Sequence, residues 1–379
     1  MPQRFNPRHV YVHVPFCARR CAYCDFSIAV RNTVPVAEFV NALDRELAVR
    51  FPMDDATEWD VDTLYFGGGT PSRLGASGVA EAIATMRRRI RLSPNAEVTL
   101  ETNPEDVSDD AIARWRDAGV NRLSLGGQSF DDRVLQWMHR SHDAEAIGRA
   151  LDAARRGGIE NVSLDLIFAL PEGIERDWAR DVASAISLAP SHLSLYGLTI
   201  EPQTPMGRWE RRGELTPSQD ERYEAEFLLA HDALTAAGFD HYEVSNFGLP
   251  SQHSRHNSAY WSGVAYAGLG PSAHEFDGTV RRWNVAPYVA WVQRLADGAD
   301  PIADGEVLTD SNRIAEAVYL GLRTRRGVAL QGAEIARAER WIDAGWATKN
   351  GPDGIVLTPL GWLRLDALAA DLTLVRSHY

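Results

Sequence analysis

Short apolar runs alternate along this chain with longer segments whose apolar residues recur at helical spacing. Residues 10–14 (Val-Tyr-Val-His-Val) form a compact β-branched run, and 36–50 carries an amphipathic helical pattern. The couplet then repeats. Strand 63–66 precedes helix 79–90, strand 97–101 precedes helix 109–118, and strand 121–125 precedes helix 144–156. Strand 162–168 is followed by helix 178–188, and strand 192–198 by a long helix over 219–237 after an irregular stretch. Acidic residues in the first turn of 109–118 mark its N-terminus. Strands that alternate with helices pair in parallel through right-handed crossovers. Six such units predict an α/β fold with a full or partial (β/α) barrel. In such barrels chemistry gathers at the C-terminal strand ends.

The unusual residues follow strand ends. Cys17, Cys21 and Cys24 come after the first strand and Gly67-Gly-Gly-Thr-Pro71 after the second; Glu101 closes the third and Gly126-Gly-Gln128 the fourth. These are the only three cysteines in 379 residues. An odd, tightly clustered set makes no disulfide framework, whereas three thiolates on one loop suit a soft metal centre. The CxxxCxxC spacing suits a [4Fe–4S] cluster with one iron left open. Zinc, which normally takes a fourth protein ligand, and a chance group of buried thiols are the alternatives. The glycine run is either a tight turn or a place where a ligand lies against bare backbone. Glu101 is either a solvated strand end or a carboxylate for two ribose hydroxyls. Gln128, Arg140 and Asp165 gain weight only as members of the set.

Composition narrows the class. Hydrophobic residues make up 45% of the chain and charged ones 24%, enough for a substantial core, and the length predicts two or three domains. A formal net charge of −13 argues against general nucleic-acid binding. The N-terminus lacks a signal-peptide core, and no apolar run is long enough for a bilayer. Thiols kept as ligands imply a reducing compartment, so a cytoplasmic location is expected.

CxxxCxxC with Tyr23 before its last cysteine, followed by Gly-Gly-Gly-Thr-Pro, resembles the radical S-adenosylmethionine (SAM) superfamily. Tyr11-Val-His-Val-Pro-Phe-Cys17, Glu101-Thr-Asn-Pro-Glu105, Gly126-Gly-Gln-Ser-Phe130 and Asp165-Leu-Ile-Phe-Ala-Leu-Pro171 more closely resemble the oxygen-independent coproporphyrinogen III oxidase-like group. The resemblance runs over most of the chain and implies a partial (β/α)6-type radical SAM barrel. It implies that Cys17, Cys21 and Cys24 hold a [4Fe–4S] cluster whose open iron chelates SAM, and that reductive cleavage yields methionine and a 5′-deoxyadenosyl radical. It further implies SAM contacts from Tyr11, Tyr23, Gly68, Gly69, Thr70, Glu101, Gln128, Arg140 and Asp165. In the oxidase some of these positions serve a second SAM.

Two departures point to a subfamily. Oxidases carry a further cysteine two residues past the third, where this chain has Phe26. The Cys-x-Tyr-Cys-Asp-Phe form and His256-Asn-Ser-Ala-Tyr-Trp261, an HNxxYW motif, resemble instead the HemW-type haem-chaperone branch. That resemblance implies haem as a ligand, with a ring nitrogen of His256 on the iron and Tyr260 and Trp261 against the porphyrin. The residues alone also allow a buried histidine among core aromatics. Many relatives have a cysteine two residues before the histidine; Ser254 here removes that thiolate. The implied partners are haem and haem-requiring clients, respiratory enzymes among them, and a homodimer is allowed. Conversion of coproporphyrinogen III is expected to be absent, and SAM turnover is not assured. A radical SAM enzyme acting by hydrogen abstraction is the alternative.

The expected domains are a core over 1–240, a haem-motif extension and linker over 241–300, and a small winged-helix-like α+β domain over 301–379. Residues 297–305 read as the linker. Helices are expected over 311–322, 331–337 and 339–344, a β-wing over 347–357, and a last helix from Thr358, with Pro359 at its first position. Arg323, Arg325 and Arg326 form a basic run, but the acidic whole favours a packing or lid role over DNA binding.

Overall fold

A computed structural model describes residues 5–52 and 59–376. Six strands form the frame: β1 (His9–Val14), β2 (Asp60–Gly68), β3 (Arg91–Thr102), β4 (Arg122–Gln128), β5 (Asn161–Phe168) and β6 (His192–Gly197). They pair in sequence order, all parallel. Ala267–Leu269 adds a parallel strand beside β1, while Asn246–Gly248 and Asp240–Glu243 add antiparallel strands beyond β6. The nine-stranded sheet therefore ends at Ala267–Leu269 and Asp240–Glu243, which do not pair, and the barrel is open. This is a partial (β/α)6 barrel with additions at both edges.

Strand periodicity explains what faces where. Leu100, Leu123, Leu125, Leu164, Leu166, Leu193 and Leu195 join the apolar core beneath the helices. The alternate positions Thr63, Thr99, Ser124, Ser163, His192 and Ser194 are buried on the opposite face, so the lumen is polar.

Helices Val36–Arg50, Asp109–Ala118 and Ala144–Arg156 occupy their expected spans. β3 begins at Arg91 rather than at residue 97, because Pro94 and Asn95 mask its start in the sequence. The expected linker is partly strand: Ile302–Val307 pairs antiparallel with Val280–Asn284. It is an edge strand with one neighbour and exposed residues, so it needs no apolar alternation. Residues 331–344 hold one helix, Glu334–Asp343, not two. Its buried Glu334, Ala338 and Trp341 keep one continuous face.

The C-terminal unit packs Asp310–Leu322, Glu334–Asp343 and Leu365–Arg376 with a three-stranded sheet whose wing is Ala347–Lys349 and Gly354–Leu357. Arg323 ties it to the barrel, donating from Nε to Glu243 Oε2 at 3.1 Å. Among the described residues no helix is long and apolar enough to cross a membrane.

Candidate functional site

Just past β1, Phe16–Cys17 pairs in parallel with Ala29–Val30, clasping the cysteine-bearing loop at the strand end. Thr70 Oγ1 lies 3.5 Å from Cys17 Sγ, and Arg140 Nη1 donates to Cys21 Sγ at 3.4 Å. All three thiols are free. Burial raises Cys17 and pushes Cys24 up to about 11, so without a metal both rest as thiols. A bound metal ion would favour their thiolate forms. Among the described residues no three His, Cys, Asp or Glu side chains close around a single ion position.

A cavity of about 510 Å³ opens beside the thiols at the C-terminal ends of the strands. Tyr23, Gly68, Gly69, Thr70, Glu101, Gln128, Arg140 and Asp165 all border it together with the three cysteines. Glu101 accepts from the Tyr65 hydroxyl at 2.8 Å and from the Gly68 amide at 3.0 Å. Its burial pushes the carboxyl up to about 7. Asp165 accepts from Ser124 Oγ at 2.9 Å and Ser163 Oγ at 3.1 Å. Arg140 Nη2 donates to Asn103 Oδ1 at 2.6 Å and to the Gly126 carbonyl at 2.9 Å, while its buried Nε has no partner. Gln128 holds φ at 67° where β4 slips register against β5, a strained left-handed position for a side chain.

The glycine run borders the cavity and is also packed closely by its own chain. At Gly68 (φ +112°) a Cβ would lie 2.6 Å from the His13 ring, and at Gly69 one would lie 2.8 Å from the Pro15 carbonyl. The protein itself uses the space that these glycines leave. Tyr11 stands apart. It borders an adjoining cavity of about 390 Å³, which shares Asp25, Phe26 and Gly68 with the first.

His256 lies in the barrel lumen. Its ring stacks on Tyr65 at 5.0 Å, placing it one aromatic layer below Glu101. Glu97 accepts from the backbone amides of Arg255 and His256, both at 2.9 Å, anchoring the motif helix Arg255–Trp261. Nδ1 of His256 bonds Thr63 Oγ1 at 2.7 Å and Nε2 bonds the Tyr260 hydroxyl at 2.9 Å. The side chain is 1% exposed, and burial lowers its pKa to about 3. The expected iron-facing nitrogen is thus occupied. Ser254 is buried and caps the helix, accepting from Asn257 N–H. Trp261 carries the Arg323 guanidinium over its ring at 4.3 Å.

The family model described as the Radical SAM superfamily matches residues 11–183. The heme chaperone HemW of Mycobacterium tuberculosis is 38% identical, covering 98% of this chain and 96% of its own. That of Synechocystis sp. is 36% identical over 93% and 89%. The chain belongs to the HemW family of radical SAM proteins. Among solved structures, the coproporphyrinogen III oxidase HemN of Escherichia coli superposes with a TM-score of 0.81 at 23% identity, covering 97% of this chain and 90% of that one. That likeness shows the fold.

In this HemW-family chain, sequence reasoning missed Asn103, Ser124 and Tyr196, all on the main cavity wall. Asn103 stands two residues after Glu101, and its place in that run is the one signal that could have marked it. Ser124 and Tyr196 were legible only once β4 and β6 had a direction, since alternation then turns them inward. Phe26, where the oxidases have a cysteine, is 57% exposed and borders both cavities.

Proposed function

We propose that this chain is a haem carrier built on a radical SAM core, which receives haem and passes it to haem-requiring proteins, respiratory enzymes among them. Cys17, Cys21 and Cys24 hold a [4Fe–4S] cluster, and SAM lies in the adjoining cavity. Its ribose hydroxyls meet Glu101, and its remaining polar groups meet Gly68, Gly69, Thr70, Gln128, Arg140 and Asp165, with Tyr23 on the wall. Tyr11 supports this site from the neighbouring cavity. When bound, the cluster supplies one-electron reducing chemistry to SAM. The protein's own part is to exclude water, to fix Glu101 through Tyr65 and Gly68, and to hold a cation, Arg140, on a cluster thiolate.

The observation that carries the reading is the seat of the HNxxYW helix. A module appended for an unrelated purpose would sit outside the barrel. This one is capped by Glu97 and stacked on Tyr65, directly under the SAM-facing carboxylate. Phe26, in place of the oxidase's extra cysteine, points the same way.

The test uses anaerobically reconstituted protein. It should contain four irons and four sulfides per chain, show a reduced-cluster resonance that changes on adding SAM, and bind haem. Coproporphyrinogen III should not be converted, with 5′-deoxyadenosine release measured in its presence and absence. Efficient decarboxylation without haem binding would make the protein an oxidase.

A further inference from the structure

Asp165 does not stand alone on the cavity wall. Behind it a line of buried side chains runs through the lumen to the edge strand Asp240–Glu243. Ser163 Oγ donates to Asp165 Oδ1 at 3.1 Å and lies 2.7 Å from His192 Nδ1. His192 Nε2 lies 2.8 Å from the Tyr242 hydroxyl, whose oxygen accepts from the Ser254 amide at 3.2 Å. Ser163, His192, Tyr242 and Ser254 are all buried. Asp165 is half-buried and is the member that borders the cavity. Cross-strand register sets these neighbours, with Ser163 of β5 opposite His192 of β6 and Asp165 opposite Ser194.

The two ends fix the direction of every bond between them. A backbone amide can only donate, and an ionised carboxylate can only accept. Among the described residues the Tyr242 hydroxyl has two hydrogen-bond partners, so with its oxygen taken by Ser254 it gives its proton to His192 Nε2. His192 is then protonated at Nδ1 and donates to Ser163, whose own hydrogen goes to Asp165. Burial raises Tyr242 and lowers His192, so both stay neutral and no proton is transferred. We propose that Tyr242 and His192 are positioning residues of the SAM site: they aim Ser163 at Asp165 and so fix that carboxylate for a polar group of the ligand. The inference rests on the SAM-binding reading and deepens it. Donors that all run one way polarise each other, so a break at Tyr242 is felt at Asp165. Because the line begins at Ser254, the cap of the HNxxYW helix, that helix has a hydrogen-bonded connection to the SAM cavity.

The test measures SAM binding to the reconstituted full chain by calorimetry. Tyr242→Phe keeps the ring stacked on His253 and removes the hydroxyl alone, and it should weaken SAM about three- to tenfold. Ser163→Ala should do at least as much. In an Asp165→Ala background, Tyr242→Phe should change the affinity by less than about twofold, because the carboxylate it serves has gone. Equal losses in both backgrounds would make Tyr242 a structural residue and overturn the proposal, as would wild-type affinity in a folded Tyr242→Phe. Nitrogen-15 NMR of the imidazoles, with the His192 signals assigned by their absence in His192→Gln, gives a readout that needs no SAM. Wild type should carry the His192 proton on Nδ1, and an Nε2–H tautomer would overturn the proposal while leaving the SAM reading standing. A wild type that binds no SAM would sink the SAM reading, and this role with it.

Discussion

Arg140 donates a hydrogen bond to the sulfur of Cys21 across 3.4 Å, with its other terminal nitrogen tied to Asn103 and Gly126. A cation fixed against a thiolate stabilises the more negative, reduced state of whatever that thiolate binds. Arg140→Gln should therefore lower the midpoint potential of the reconstituted cluster. About 60 mV corresponds to ~1.4 kcal/mol for one electron. A redox titration followed by electron paramagnetic resonance checks this, and an unchanged potential would reduce Arg140 to a contact for SAM alone.

The glycine run yields a folding prediction as well as a binding one. Because a Cβ on Gly69 would press on the Pro15 carbonyl, Gly69→Ala should cost about 1–3 kcal/mol of stability and disturb the cysteine loop. Thermal unfolding and acid-labile sulfide content should fall together. Full cluster loading with SAM binding alone lost would mean that only the ligand feels the substitution.

With SAM seated against Glu101 as proposed, its binding would depend on pH. Burial lifts the Glu101 carboxyl from 4.5 to about 7, so between these values the folded chain holds a proton that the unfolded chain has released. The stability associated with that proton is present below pH 4.5 and is lost as pH rises through 7, up to about 3 kcal/mol. SAM, a sulfonium whose ribose hydroxyls donate, favours the ionised carboxylate. Affinity should rise about tenfold from pH 6 to 8 and lie flat in Glu101→Gln, as measured by calorimetry at each pH.

Arg323 joins three parts of the fold. It pairs with Glu243, which is fully buried, donates to Ser245 and covers Trp261. Arg323→Ala leaves the buried Glu243 carboxylate without its cation, held only by the Ser245 amide and the Asn246 side chain, and should cost about 3–5 kcal/mol in denaturant unfolding, reading out as a looser C-terminal unit. A loss below 1 kcal/mol would show that the pair is solvated in solution.

Much of the frame was legible because its signals are local. Ser108 and Asp143 cap their helices by accepting from the amides of Ala111 and Ala146, and both ends could be read from residue type. The cysteine loop and the glycine run lay in contiguous motifs at strand ends. The lumen was not legible. Thr63, Ser163 and His192 look like ordinary polar strand positions until the sheet curls and buries that face. His256 shows the limit most clearly. Its helix is capped by Glu97, 159 residues earlier, and both ring nitrogens are filled by residues from different elements. Short strands after residue 240 escaped for a related reason: three residues carry too little periodicity to read.

Both rims of the barrel sheet are supplied by residues 240–269, Asp240–Glu243 on one side and Ala267–Leu269 on the other. The segment that bears the HNxxYW helix is therefore also the hem that keeps β1 and β6 from offering free hydrogen-bonding edges to another molecule. Evolution cannot discard the one without unfastening the other. A descendant that abandoned the motif's ligand would still have to keep its backbone, so sequence drift within the helix, rather than its deletion, is how such a loss would be recorded.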